Sequence, residues 1–230
     1  MKDFTGLESS IKVKFKSKKL LEEAFTHRSY LNENTEWTGN HNERLEFLGD
    51  AVLELVVTEH LFSKFPDKNE GELTSYRAAL VNANMLSEIA QDLDINDYLL
   101  LSRGEAKDLG RARQYILANT IEALIGAIYL DQGYEPAEKF IKESVLTHIE
   151  EIITKKLFRD PKSLFQERAQ EIFGITPTYE VIKEWGPDHS KHFIVGVYLG
   201  KELVAEGEGA SKQEAQLRAA EAGLAVKNWA

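Results

Sequence analysis

The sequence predicts an all-α first domain followed by a small α+β domain of order α-β-β-β-α. Three observations carry that expectation. Apolar residues recur at helix spacing as far as about residue 152. A charged connector ending in proline, Lys155-Lys156-Leu157-Phe158-Arg159-Asp160-Pro161, interrupts the pattern there. Beyond it, apolar and polar residues alternate at the strand period between two helical stretches. The expected boundaries are 1–153 for the first domain, 154–160 for the linker and 161–230 for the second.

The first domain reads as helices throughout. Leu20, Leu21, Ala24 and Phe25 share one helical face, as do Leu45, Leu48, Val52, Leu55 and Val56. The stretches 72–93, 114–130 and 136–153 repeat the pattern, with Gly71, Gly110 and Gly133 as punctuation. No strand alternation interrupts them. In the second domain a helix over 161–173 leads to an alternating run, 178–183, and then to the loop Gly186-Pro187-Asp188-His189-Ser190. Two further strand-like runs, 192–199 and 202–208, precede a closing helix. Ser211 with Glu214 three residues on is a capping box, which marks the start of that helix.

The chain of 230 residues can bury two separate cores, and 43% hydrophobic with 29% charged residues is ordinary for a globular protein. It has no cysteine, which excludes disulfides and thiolate zinc sites. The longest apolar run, Ala123–Leu130, is too short to cross a bilayer. Lysines 12, 14, 16, 18 and 19 are not followed by an apolar export segment, so the chain reads as cytoplasmic. The net charge of −10 is unpromising for a nucleic-acid binder until its distribution is examined. Residues 1–150 carry 17 basic and 26 acidic side chains, whereas residues 151–230 carry 11 and 12. The acid is concentrated in the helical domain, where it serves either a metal site or a solvated surface.

The run Asn42-Glu43-Arg44-Leu45-Glu46-Phe47-Leu48-Gly49-Asp50 narrows that choice. On a helix Glu43, Glu46 and Asp50 fall at i, i+3 and i+7, so three carboxylates share one stripe. Asn119 and Glu122 form a second pair at i, i+3. Two such helices could set four oxygen donors around a hard cation such as Mg²⁺, which retains several waters. Acidic residues at this spacing also suit a plain solvated face. Their interleaving with Leu45, Phe47, Leu48, Ala51 and Val52, and of Glu122 with Ile121 and Leu124, argues for a partner.

This segment closely resembles the signature of the ribonuclease III family. The same is true of Thr26-His27-Arg28-Ser29-Tyr30, of Glu70-Gly71-Glu72-Leu73 with Arg77, and of the run from Ile116 to Ala127. The resemblance spans both domains in the family's order. It implies an all-α endonuclease domain with two metal ions per active site. Glu46, Asp50 and Glu122 match the principal metal ligands, with Asp50 and Glu122 the catalytic pair, and Glu43 and Glu70 match supporting carboxylates. Where the family commonly has aspartate this chain has Asn119, which keeps a carbonyl oxygen for the metal but removes a charge. Phe47 matches a residue at the family's dimer seam. His27 and His41 read as hydrogen-bonding residues at helix ends.

Residues 160–228 resemble the double-stranded RNA-binding domain, a module that reads duplex shape through 2′-hydroxyl and phosphate contacts. By that resemblance Ser163, Gln166 and Glu167 meet one minor groove, His189 in its loop meets a second, and Ser211 with Lys212 meets the phosphates between. The family's usual second lysine and a further basic residue are replaced here by Gln213 and Gln216, leaving Lys212 and Arg218. The expected activity is metal-dependent hydrolysis of double-stranded RNA to 5′-phosphate and 3′-hydroxyl ends, by a homodimer using Mg²⁺ or Mn²⁺. Its expected substrates are precursors of ribosomal and transfer RNA and structured messenger RNAs. Neither a membrane nor a small-molecule cofactor is expected. The rival reading is a double-stranded RNA-binding protein whose cleavage is impaired by Asn119.

Overall fold

The computed structural model describes residues 2–158, 160–187 and 191–229. The chain divides into two compact units, Met1–Phe158 and Arg159–Ala230.

The first unit is helical. Its elements are α1 (Thr5–Ser10), α2 (Lys18–Ala24), α3 (Arg28–Glu33), α4 (Glu43–Lys64), α5 (Glu70–Val81), α6 (Ala83–Asp92), α7 (Arg111–Gln132), α8 (Tyr134–Ser144) and α9 (Ile149–Thr154). The organising element is α7. Ile116, Leu117, Ala118, Ile121, Leu124, Ile125 and Ile128 are all buried, and a helix apolar on nearly every side belongs inside a core. Around it pack α2, α4, α6 and α8. The long α4 buries Leu45, Val52, Leu53, Val56, Val57 and Leu61.

Two stretches expected to be single helices are broken. The 72–93 pattern is α5 and α6, separated at Asn82, whose backbone is extended. The Asn82 side chain accepts a hydrogen bond from the Met85 amide at 3.0 Å and donates one to the Ala79 carbonyl at 3.0 Å. One asparagine thus serves both helix ends. The 136–153 pattern is α8, a 3-10 turn at Leu146–His148, and α9. Apolar periodicity runs through each break because both halves face the same core.

The second unit comprises α10 (Pro161–Phe173), β1 (Thr178–Trp185), β2 (His192–Leu199), β3 (Glu202–Gly209) and α11 (Lys212–Lys227). The strands form an antiparallel sheet in the order β1-β2-β3, with Val181 opposite Val195 and Val197 opposite Ala205. Val197 and Leu199 of the sheet meet Phe165 and Ala169 of α10 and Ala219, Ala220 and Leu224 of α11 in a core of their own. Ser211 caps α11 by accepting from the Glu214 amide at 3.1 Å. Glu214 reaches back to the Ala210 amide at 3.0 Å, one residue beyond the partner a capping box prescribes. No helix among the described residues is long and apolar enough to cross a membrane.

Candidate active site and nucleic-acid interface

The start of α4 is anchored by Asn42. Its amide donates to the Thr26 carbonyl at 2.9 Å and its side chain donates to the Ala24 carbonyl at 3.2 Å. From there α4 runs across α7 at very close range. A methyl group on Gly49 would stand 1.7 Å from the Glu122 carbonyl oxygen, and one on Gly126 would stand 2.2 Å from the Leu45 carbonyl oxygen. Only glycine at both positions lets the two backbones touch. The crossing sets the acidic stripe of α4 beside the polar pair of α7. The Asn119 side chain lies close enough to Glu46 to favour its charged carboxylate, and Glu122 lies within electrostatic reach of both Asp50 and Glu46.

The electrostatics of this cluster are unfavourable to charge. Burial, reinforced by the Asp50 and Glu46 carboxylates, pushes the Glu122 carboxyl up to about 8. Burial likewise raises Glu46, with help from Glu43 and Asp50, while the polar Asn119 side chain beside it opposes the rise. The donors are all oxygens. Among the described residues no three acidic or imidazole side chains already converge in a ready-made metal cage. An ion that keeps several waters and takes few direct carboxylate ligands suits such an open arrangement.

The remaining candidates lie at graded distances from this centre. Glu43 is exposed, 3.3 Å from the Arg28 guanidinium and 3.8 Å from the His41 ring. Glu70 opens α5 and lines a cavity of about 440 Å³ with Thr58, Phe62, Leu73 and Arg77. Thr58 is eight residues from Asp50 and twelve from Glu46 along α4, about 12 and 18 Å of helix, so Glu70 stands beside the C-terminal half of α4 and not beside the turns that carry the cluster. Phe47 is 82% exposed, and with Ala51, Leu55 and Phe62 it forms an apolar stripe on the open side of α4. His27 caps α3, accepting from the Ser29 amide at 3.3 Å, and His41 accepts from the Glu43 amide at 3.4 Å.

In the second unit Asp160 caps α10, accepting from the Ser163 amide at 2.9 Å and from the Ser163 hydroxyl at 2.7 Å. Gln166 and Glu167 are exposed on the same helix. Lys212 is exposed at the start of α11, its ammonium 5.6 Å from the Phe193 ring centre. His189 lies outside the described residues. Arg218 is engaged elsewhere than expected: it donates to the Glu208 carbonyl at 2.9 Å and to the Glu214 carboxylate at 2.7 Å. Sequence reasoning missed the role of Gly49 and Gly126. The available signal was a glycine midway along each of two apolar helices, where it costs stability unless something must approach closely.

The chain matches a family model described as ribonuclease-III-like over residues 17–149, and one described as the double-stranded RNA binding motif over residues 161–227. It is 44% identical to the protein named Ribonuclease 3 of a Nitratiruptor species, over 98% of this chain and 97% of that protein. It is equally identical to the Borreliella burgdorferi protein of that name, over 94% and 87%. A solved nuclease domain of ribonuclease III from Campylobacter jejuni, studied for flexibility in a region involved in dimer formation, is 42% identical. It superposes with a TM-score of 0.58, covering 63% of this chain and 97% of that one.

Proposed function

This chain belongs to the ribonuclease III family, and we propose that it is an endoribonuclease that cuts double-stranded RNA at the α4–α7 crossing. One observation carries the reading: Glu46, Asp50, Asn119 and Glu122 gather there at the cost of raising the carboxyl of Glu122 to about 8. A protein that only bound duplexes would have no use for that unfavourable cluster, and the relatives bear the name of the enzyme. The test is incubation of labelled duplex RNA with the protein in Mg²⁺ and in chelator. Metal-dependent products with 5′-phosphate and 3′-hydroxyl ends, absent with single-stranded RNA, are expected. An intact but bound duplex would instead favour the binding-only alternative.

Glu46, Asp50, Asn119 and Glu122 are the residues that would hold Mg²⁺, with Mn²⁺ as a substitute suited to the same oxygens. Bound there, such an ion would supply Lewis acidity: a bound water of lowered pKa as the nucleophile and positive charge for the leaving oxygen. The chain's own contribution is to hold Asp50 and Glu122 in place through the glycine crossing. It also keeps the Glu46 carboxylate oriented through the Asn119 amide. Glu43, beside Arg28, adds negative charge near Glu46.

Dimerisation would explain both Phe47 and Glu70. A Phe 82% exposed on a stripe that also leaves Leu55 and Phe62 uncovered is an unpartnered apolar face. Two copies of α4 related by a two-fold axis would bring Phe47 of each towards the cavity beside Phe62 of the other. Glu70 lines that cavity, so it would then act on the partner's cluster rather than on its own.

The second unit is the duplex-binding arm. Gln166, Glu167 and Lys212 are free to meet RNA, whereas Ser163 and Ser211 act first as a helix N-terminal turn and cap. By the family resemblance, His189 would meet a second minor groove. The substrates would be ribosomal and transfer RNA precursors and structured messenger RNAs, in the cytoplasm.

A further inference from the structure

On α11 Lys212 and Gln216 are four residues apart and share one face. Position 216 is neutral. The next basic residue of that helix, Arg218, lies on a different side and is held by Glu214 and the Glu208 carbonyl. The face turned to phosphate therefore has only one cation from its own helix. A second cation reaches it from α10. The Lys162 ammonium donates to the Gln216 side-chain oxygen at 2.6 Å and sits 5.0 Å from the centre of the Tyr179 ring.

We infer that Lys162 is a phosphate-binding residue, supplying from α10 the charge that α11 lacks at position 216. The inference rests on the reading of this unit as a double-stranded RNA-binding domain. Among the described residues Lys162 has no carboxylate within ion-pair distance, unlike Lys155 or Lys227. Its ammonium has three donors and the Gln216 bond uses one. A cation half-buried at a helix seam, with spare donors and no counter-ion, is poised for an anion. Gln166, one turn along α10 from Lys162, faces the same way. Lys162 and Gln166 on one helix thus adjoin Gln216 and Lys212 on the other in one strip. The phosphate backbone is a repeating anion that such a strip would follow, and Gln216 serves to aim the lysine rather than to replace it.

The alternative is that Lys162 merely ties α10 to α11, and salt dependence separates the two. Binding of the full chain to an RNA duplex longer than the roughly 16 bp span of the module is measured in chelator over a range of KCl. Wild type should bind with a steep slope of log affinity against log salt. Lys162→Met should lower that slope by about one. Its affinity loss should be about eightfold at 0.1 M salt and fade towards 1 M. Lys162→Arg should keep the slope, and Gln216→Lys placed in the Lys162→Met background should restore it. A Lys162→Met chain that stays folded by circular dichroism but loses affinity equally at all salt concentrations overturns the inference while leaving the duplex-binding reading intact. Failure of the wild type to bind duplex would overturn both.

Discussion

Gly49 of α4 and Glu122 of α7 meet backbone to backbone: a methyl group on the glycine would stand 1.7 Å from the Glu122 carbonyl oxygen. The contact joins positions 73 residues apart and lies within the turns that carry Glu46, Asp50, Asn119 and Glu122. The same packing that closes the core of the first unit therefore assembles its acidic cluster.

Gly49→Ala should force the two helices apart. Neither neighbour is the end of a flexible side chain, so the backbone itself must shift, at a cost of about 3 kcal/mol. For a unit of this size that lowers the melting temperature by roughly 6–12 °C. Cleavage at a permissive temperature should fall further than stability implies, because the ligands on the two helices separate. A variant that melts and cuts like wild type would show that the crossing is looser than described.

Glu122 should make the metal-free protein sensitive to alkaline pH. Its folded carboxyl stands at about 8 against an ordinary 4.5, so the folded chain holds the proton more tightly than the unfolded one. Its stabilising contribution is full below the unfolded value and is lost as pH rises through about 8. In chelator the melting temperature should decline between about pH 5 and 9, and Glu122→Gln, which cannot ionise, should flatten that decline. Parallel profiles for the two proteins would count against the shift.

Asn119 should set the metal requirement. Asn119→Asp adds a charge and removes the donor that steadies Glu46, so the metal-free protein should melt lower while Mg²⁺ stabilises it more. Half-maximal cleavage should need less Mg²⁺ than in wild type, and Glu122→Gln should lose most of the rate. Mg²⁺ titrations of the three proteins decide the matter. An unchanged titration for Asn119→Asp alongside a dead Glu122→Gln would remove Asn119 from the ligand set.

Phe47→Asp should abolish the dimer proposed above. A carboxylate placed on the apolar stripe, at its most exposed aromatic, cannot be buried without a partner. Sedimentation at micromolar concentration should report a dimer for wild type and a monomer for the variant. A monomeric wild type would rule out this assembly.

Deleting residues 160–230 should leave a folded nuclease, since the first unit closes a core of its own. Cleavage should persist at low ionic strength and be lost at a lower salt concentration than in the full chain, because duplex affinity has been reduced. No cleavage at any salt concentration would mean that the second unit contributes to the active site.

The class of each unit, the limits of α10, β2 and α4's acidic stripe, and the Ser211 cap were legible in the sequence. All depend on residues a few positions apart, which periodicity and capping rules report directly. Tertiary structure decided the rest. Asn82 ends one helix and begins another although the apolar pattern runs on, because both helices line one core. The family resemblance put Glu70 among the supporting carboxylates, and only the fold shows that it stands beside Thr58 and Phe62, towards the C-terminal end of α4. Arg218 was expected to face phosphate, and the fold pairs it with Glu214 and the Glu208 carbonyl instead. Spacing along the chain says which side chains share a face; which faces meet depends on packing between residues remote in sequence. For the acidic cluster, that meeting depends on two glycines small enough to let the backbones of α4 and α7 touch.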